Sequence, residues 1–262
     1  MSVQPEAEFF NGVPAGASSR SDGDDRVPFD GVPAESIGTA EAADRGYDTL
    51  IPRLIPGYAS LARLAVALLA ASPLASTPGS AVLVAGCGTG AELLEARRQR
   101  PDWLLTGLDP SAAMLAIARQ RLGEDGSIRW QGCRVEQLAG EAQFDGALAV
   151  LVLHSLPDDG SKLGFLSALA RQLRPGAQLL LVDLMQPERS PLQEQVARAW
   201  AGFQQASGLS PGSVEALQAL GRETHPIGTA RLTALLDAAG FGDPALIFQA
   251  LDFAGHLVQR RR

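Results

Sequence analysis

Val82-Leu83-Val84-Ala85-Gly86-Cys87-Gly88-Thr89-Gly90 is an apolar strand that runs straight into a glycine-rich turn. A buried strand of this kind delivers the chain to a place where missing side chains let a ligand approach the backbone. About twenty residues on, at the end of the next apolar run, stands an acid in Gly107-Leu108-Asp109-Pro110-Ser111, placed to accept hydrogen bonds from a ribose diol. The pairing predicts a nucleoside site, and the glycine spacing narrows it. A dinucleotide fold needs G-x-G-x-x-G so that a pyrophosphate can sit on the helix N-terminus. Here the spacing is Gly86-x-Gly88-x-Gly90, followed by Ala91-Glu92, and a glutamate in the first helical turn repels a diphosphate.

Strands and helices alternate outward from this turn, which calls for a parallel sheet. Strands are expected at Val82–Ala85, Leu104–Leu108, Ile128–Gln131, Gly146–Leu153 and Gln178–Leu184, the fourth being wholly apolar and so central. Helices are expected at Glu92–Arg100, at Met114–Leu122 with Ser111 as cap, and at Ser161–Leu173, closed by Arg174-Pro175-Gly176. Before the first strand, Leu61, Leu64, Ala65, Leu68 and Leu69 follow helical spacing. Residues 186–225 break the rhythm and read as a helical insertion over the site (Leu192–Ala206, Val214–Leu220). Thr229–Ala239 is then a helix, and Ala245–Leu251 with Phe253–Val258 an antiparallel hairpin. Residues 1–45 are rich in Gly, Pro, Ser, Ala and Asp without periodicity, and are expected to be a disordered acidic tail. The folded domain is therefore expected over 46–262, with cap helices in 46–75.

The chain has 262 residues, of which 46% are hydrophobic and 19% charged, enough for one α/β domain with a sizeable core. A formal charge of −7 argues against a phosphate-backbone substrate, which demands basic patches. Cys87 and Cys133 lie in or beside predicted strands and suggest no disulfide framework, so a cytoplasmic location is expected. No apolar run has the length of a membrane span, and the first residues lack the basic-then-apolar order of a signal peptide.

The glycine turn with Asp109 resembles motif I of class I S-adenosylmethionine-dependent methyltransferases, whose ligand carries no phosphate. Phe144-Asp145-Gly146 leading into Ala147–Leu153 and His154-Ser155-Leu156-Pro157-Asp158 is similar to motif IV of small-molecule methyltransferases, and Leu173-Arg174-Pro175-Gly176 to the loop after it. Three stretches resemble the carboxy-S-adenosylmethionine synthase branch. They are Tyr47–Tyr58, ending in Arg53-Leu54-Ile55-Pro56-Gly57-Tyr58; Phe203–Gly208 of the lid; and Phe248–Phe253 of the hairpin. The resemblance covers nearly everything after residue 46. It implies a Rossmann-like, doubly wound, seven-stranded sheet with a C-terminal antiparallel hairpin and a helical lid. It also implies S-adenosyl-L-methionine as cofactor, held by Tyr58, Gly86, Cys87, Gly88, Gly90, Asp109, Pro110, Met114, Arg134, Val135 and Val150.

Several positions depart from that pattern. The synthase's carboxylate-holding lid arginine aligns with Gln218, with Arg222 one turn away, and its strand-four asparagine with Val150. The acid that helps to hold the methionine ammonium is Val84, and the adenine-contacting aspartate is Arg134, which leaves the Val135 N–H for the ring. These losses favour methyl transfer to a small molecule over carboxyl transfer to the cofactor. A cofactor-binding protein without catalysis is a further alternative, and nicotinamide oxidoreduction a distant one.

His154, just after strand four, is the catalytic candidate, as general base for a hydroxyl; a hydrogen-bonded turn histidine is the alternative. Met114 either lines the adenine pocket or belongs to the core. Tyr47, Arg53 and Arg222 are the acceptor and lid candidates. No residues have metal-ligand spacing, and the expected partner is a small-molecule acceptor, with a homodimer left open and neither nucleic acid nor membrane expected.

Overall fold

The computed structural model describes residues 40–123, 126–210 and 224–262, with side chains from residue 46 onward. Most of the expected tail, the expected helix Val214–Leu220, Gln218 and Arg222 lie outside the described residues. The chain opens with helices α1 (Ala40–Leu54) and α2 (Tyr58–Ala70) and continues β1 (Ala81–Ala85), α3 (Ala91–Gln99), β2 (Leu104–Leu108), α4 (Ala112–Leu122), β3 (Ile128–Gln131) and β4 (Phe144–Val150). Then come α5 (Ser161–Gln172), β5 (Leu173–Leu184), α6 (Gln193–Ala206), α7 (Thr229–Ala238), β6 (Ala245–Ala250) and β7 (Phe253–Gln259). The seven strands form one sheet in the order β3-β2-β1-β4-β5-β7-β6. Its first five are parallel, while β7 runs antiparallel to both β5 and β6.

Side-chain alternation along the strands assigns the two faces. Val82, Val84, Leu148, Leu180 and Val182 pack with Leu61 and Leu69 of α2, Leu93 of α3 and Leu115 of α4. Leu83, Ala147, Ala149, Leu179 and Leu181 face the other way, onto Leu166 and Leu169 of α5 and Leu232 and Leu236 of α7. The β1–β4 boundary is where the strand order reverses, and ligands of doubly wound sheets bind at the carboxyl ends of such a boundary. Asp145 ties the opposite end together: it accepts the Ala81 N–H (2.8 Å) and pairs with Arg174.

The structure moves three expected boundaries. Strand four stops at Val150, not Leu153, because Leu151 takes a left-handed φ of 57° and the chain turns into a 3₁₀ segment, Leu153–Ser155. Strand five starts at Leu173, before the expected Gln178. There Leu173 pairs with Phe144, and the Gly176 N–H donates to the Arg260 carbonyl (3.0 Å), so the Arg174-Pro175-Gly176 loop is absorbed into the strand. Helix α1 includes residues 40–45, which composition alone assigns to the tail.

Among the described residues no single helix is long and apolar enough to cross a membrane. Residues 46–54 and α2 pass such a test only jointly, and they meet at a 92° bend. Leu61, Ala65, Val66 and Leu69 of α2 are buried against the sheet.

Gly146 sits where α2 presses closest on the central strand, and a methyl group there would stand 2.8 Å from Leu69 Cδ1. Gly146→Ala is expected to cost about 1–3 kcal/mol through overpacking. Thermal denaturation should show Tm falling by roughly 2–10 °C; an unchanged Tm would mean that α2 packs less tightly than described.

Candidate functional site

Three turns at the carboxyl ends of β1, β2 and β4 build the site. In the first, Gly86 has φ 68° and Gly88 φ 50°, left-handed values that glycine adopts without strain. At Gly86 space is also closed, since a Cβ would stand 2.4 Å from Val152; above Gly88 a Cβ would meet nothing within 4 Å. The turn is therefore braced below and open above. The Gly86 and Cys87 N–H groups both donate to the Leu108 carbonyl (2.7 and 2.9 Å), locking it to the end of β2.

Asp109 ends β2 with 8% exposure. Its Oδ2 accepts the Gly88 N–H (2.9 Å) and its Oδ1 the Ser111 N–H (2.8 Å). A carboxylate has about four acceptor positions, so this bracing leaves capacity for two further donors. Ser111 caps α4 through the Met114 N–H (3.2 Å), as its sequence position predicts. Leu115 enters the core, whereas Met114 is half-buried beside the site.

Cys87 is 2% exposed within the core, and burial pushes its thiol up, so its side chain is a packing element of the turn. Arg134 is exposed; it precedes a 3₁₀ segment, Val135–Gln137, with its N–H donating to Gln137 Oε1 (2.9 Å). Val135 buries its side chain, while Val150 and Pro110 flank the opening half-buried and exposed.

Helix α1 is latched onto the glycine turn. Asp48 accepts the Thr89 hydroxyl (2.7 Å) and a bond from Arg121 of α4 (3.2 Å). The Tyr47 and Tyr58 hydroxyls hydrogen-bond to each other, and burial with the nearby Glu92 raises both pKa values. Glu92, 6% exposed in the first turn of α3, is itself pushed up to about 7 by burial. Arg53 lies farther along α1, its Nη1 within 3.9 Å of where a Cβ on Gly208 would stand, just past α6. The same region is pinned by Trp200 Nε1, which donates to the Leu54 carbonyl (2.6 Å) while its ring meets Phe253 edge-on.

The third turn carries His154. Asp183, 2% exposed near the end of β5, accepts the N–H groups of Val152 (3.1 Å), Leu153 (2.5 Å), His154 (3.0 Å) and Leu184 (2.9 Å). His154 Nδ1 lies 2.5 Å from Asp183 Oδ1. Because the carboxylate offers only acceptors, this contact assigns a ring proton to Nδ1, so that Nε2 is the nitrogen with the lone pair when the ring is neutral. Lys162, fully buried, donates to the Leu153 carbonyl (2.5 Å) and clamps the same turn. Burial holds its ammonium below the ordinary lysine range, with Asp183 opposing.

Sequence reasoning missed Asp183, Lys162 and Asp48. Asp183 had a readable signal, an acid at the carboxyl end of a buried strand just before an insertion, the same signature that identified Asp109. No set of residues among those described is arranged to hold a metal ion, and both cysteines are free.

The glycine turn, the acid at the end of β2 and the antiparallel end of the sheet define the Rossmann-like fold of solved methyltransferases. Residues 82–176 match the family described as Methyltransferase domain. An O-methyltransferase of Pyrenophora dematioidea is 30% identical over 148 residues, 55% of this chain and 54% of that protein. The demethylmenaquinone methyltransferase of Tropheryma whipplei is 34% identical over 116 residues, 44% of this chain and 46% of that protein. The chain thus matches about half the length of these curated relatives. A solved Burkholderia thailandensis 1,6-didemethyltoxoflavin-N1-methyltransferase, with bound 1,6-didemethyltoxoflavin and S-adenosylhomocysteine, superposes with a TM-score of 0.54. The alignment covers 84% of this chain and 89% of that one at 22% identity.

Glu92 gives the site a pH signature. Below its ordinary value of 4.5 both folded and unfolded chains carry it protonated; between 4.5 and about 7 only the unfolded chain ionises. Stability therefore falls as pH rises through that window, by up to about 3 kcal/mol. Glu92→Gln is expected to raise Tm at pH 8 and to match the wild type near pH 4. Melting curves at the two pH values check this; an offset independent of pH would contradict it.

Proposed function

We propose that the chain is an S-adenosyl-L-methionine-dependent methyltransferase acting on a hydroxyl of a small molecule. The observation that carries this reading is the pairing, at the carboxyl ends of one sheet, of an open glycine turn braced by Asp109 with a histidine oriented by Asp183. The site's chemistry fits the cofactor. The backbone at Gly88 is open to a ligand's approach, Asp109 has acceptor capacity for the ribose hydroxyls, and Glu92 disfavours a diphosphate. Glu92 and Asp48 would face the cationic methionine end, with Tyr47 and Tyr58 closing over it, and the Val135 N–H would meet the adenine. The matched family and the relatives named as methyltransferases support the same reading.

S-adenosylmethionine supplies a methyl group already activated by its sulfonium, so the protein's main tasks are alignment and exclusion of water. Helices α1 and α6 provide the cover, joined through Trp200 and Leu54. His154 Nε2 would receive the acceptor's hydroxyl proton, Asp183 holding the ring and stabilising the imidazolium that results. Lys162 keeps the turn in place through the Leu153 carbonyl. By resemblance Arg53 would pair with the methionine carboxylate or an acidic acceptor, and Arg222, outside the described residues, is the lid candidate. The enzyme would be cytoplasmic, with a homodimer as a further option. Carboxyl transfer, the alternative carried by the synthase resemblance, would need a cation for the extra carboxylate, and its aligned position, Gln218, lies outside the described residues.

Two substitutions test the proposal separately. Asp109→Ala should cost about 2–3 kcal/mol of S-adenosylhomocysteine affinity through lost charge-assisted bonds. Calorimetric titration reads this, and an affinity within about threefold of wild type would refute the role. His154→Ala should lower methyl transfer to a hydroxyl acceptor by about 10²–10⁴-fold without weakening S-adenosylhomocysteine binding. Unchanged turnover would leave the histidine a turn residue.

A further inference from the structure

A cavity of about 940 Å³ lies between the start of α6, the start of α7 and the β6–β7 hairpin. It contains none of the residues of the glycine turn, nor Asp109, His154 or Asp183. Ala254 and Met185 place it on the α5–α7 face of the sheet, whereas α3, which follows the glycine turn, packs on the other. Its volume is that of a small-molecule site.

The lining has a pattern along its length. Asp243 precedes β6, and Asp252 stands in the turn after it with Glu188 at the same cavity. Eight residues, Pro244 to Leu251, separate the two aspartates, and the six of β6 alone rise about 20 Å, so acids stand at either end of the strand. The rest of the wall is mixed, with Leu246, Ala254 and Val196 supplying apolar surface beside Thr229, Thr233 and Gln193. No lysine or arginine is among the described lining residues. Midway, His256 pairs in register with Leu246 and is 3% exposed, and its Nδ1 has no hydrogen-bond partner among the described residues. Gln249, opposite Ala254 in the β6–β7 register, supplies a further polar group toward the Asp252 end.

Burial pushes the Asp252 carboxyl up and the His256 imidazole down. A buried polar atom without a partner costs free energy, and a ligand donor would relieve it.

We propose that this cavity is a second small-molecule site, independent of the glycine turn, that binds a linear polyamine. Terminal ammonium groups pair with Asp243 at one end and with Asp252 and Glu188 at the other. The methylene segments lie on Leu246, Ala254 and Val196, and an internal nitrogen meets His256 and Gln249. A diamine too short to reach both ends forfeits one set of charge-assisted bonds.

Calorimetric titration of the full chain with spermine, in saturating S-adenosylhomocysteine, tests this. The expected result is saturable one-site binding at least about tenfold tighter than that of putrescine. Asp243→Asn and Asp252→Asn should each weaken spermine by about tenfold, and Leu246→Trp, at an exposed wall position, should block it. Glu141→Gln, an exposed acid outside the cavity, should change nothing. All four variants should keep wild-type affinity for S-adenosylhomocysteine. Absence of saturable spermine binding would overturn the proposal. So would equal affinity for putrescine, insensitivity to the two aspartate variants, or competition between spermine and S-adenosylhomocysteine.

Discussion

Backbone N–H groups left over where strands end must find acceptors, and at the carboxyl edge of this sheet two buried carboxylates supply them. Asp109 takes the N–H groups of Gly88 and Ser111; Asp183 takes those of Val152, Leu153, His154 and Leu184. Without these bonds the turns after β1 and β4 would bury unpaired donors, each costing about 1–3 kcal/mol. The same bonds fix the two features that give the edge its chemistry. One is an open glycine backbone, and the other is an imidazole with a defined tautomer. Structure and chemistry here share the same atoms, so neither carboxylate can be replaced for one purpose alone.

The cover over this edge follows the same economy of polar partners. Asp48 reaches the Thr89 hydroxyl, Trp200 reaches a carbonyl left over at the end of α1, and the Tyr47 and Tyr58 hydroxyls satisfy each other. Glu92 stands in this cover as a carboxyl raised by burial to about 7. A cationic ligand end beside it would favour its ionised form, so binding and burial pull this group in opposite directions.

Much of this was legible in the sequence because it rests on local rules. The apolar runs located the strands, the Gly86–Gly90 spacing located the tight turn that Asp109 braces, and Ser111 announced its helix cap. The final hairpin was readable from two apolar runs joined by Leu251-Asp252. What escaped depends on contacts between residues far apart in the chain. The end of β4 is set by Asp183, thirty or so positions away, drawing the following turn onto itself, and no local propensity encodes that. The early start of β5 likewise depends on Arg260 at the far end of the chain. Lys162 lies in the first turn of an expected helix, and only the assembled fold buries it against Leu153.

The central claim is that the glycine turn and Asp109 hold an adenosyl ligand without a phosphate. Mass spectrometry of the small molecules that copurify with the native, full-length protein tests it most directly. The account predicts S-adenosylmethionine or S-adenosylhomocysteine, released on denaturation of the wild type and depleted in Asp109→Ala. Recovery of a nicotinamide dinucleotide in their place would contradict it.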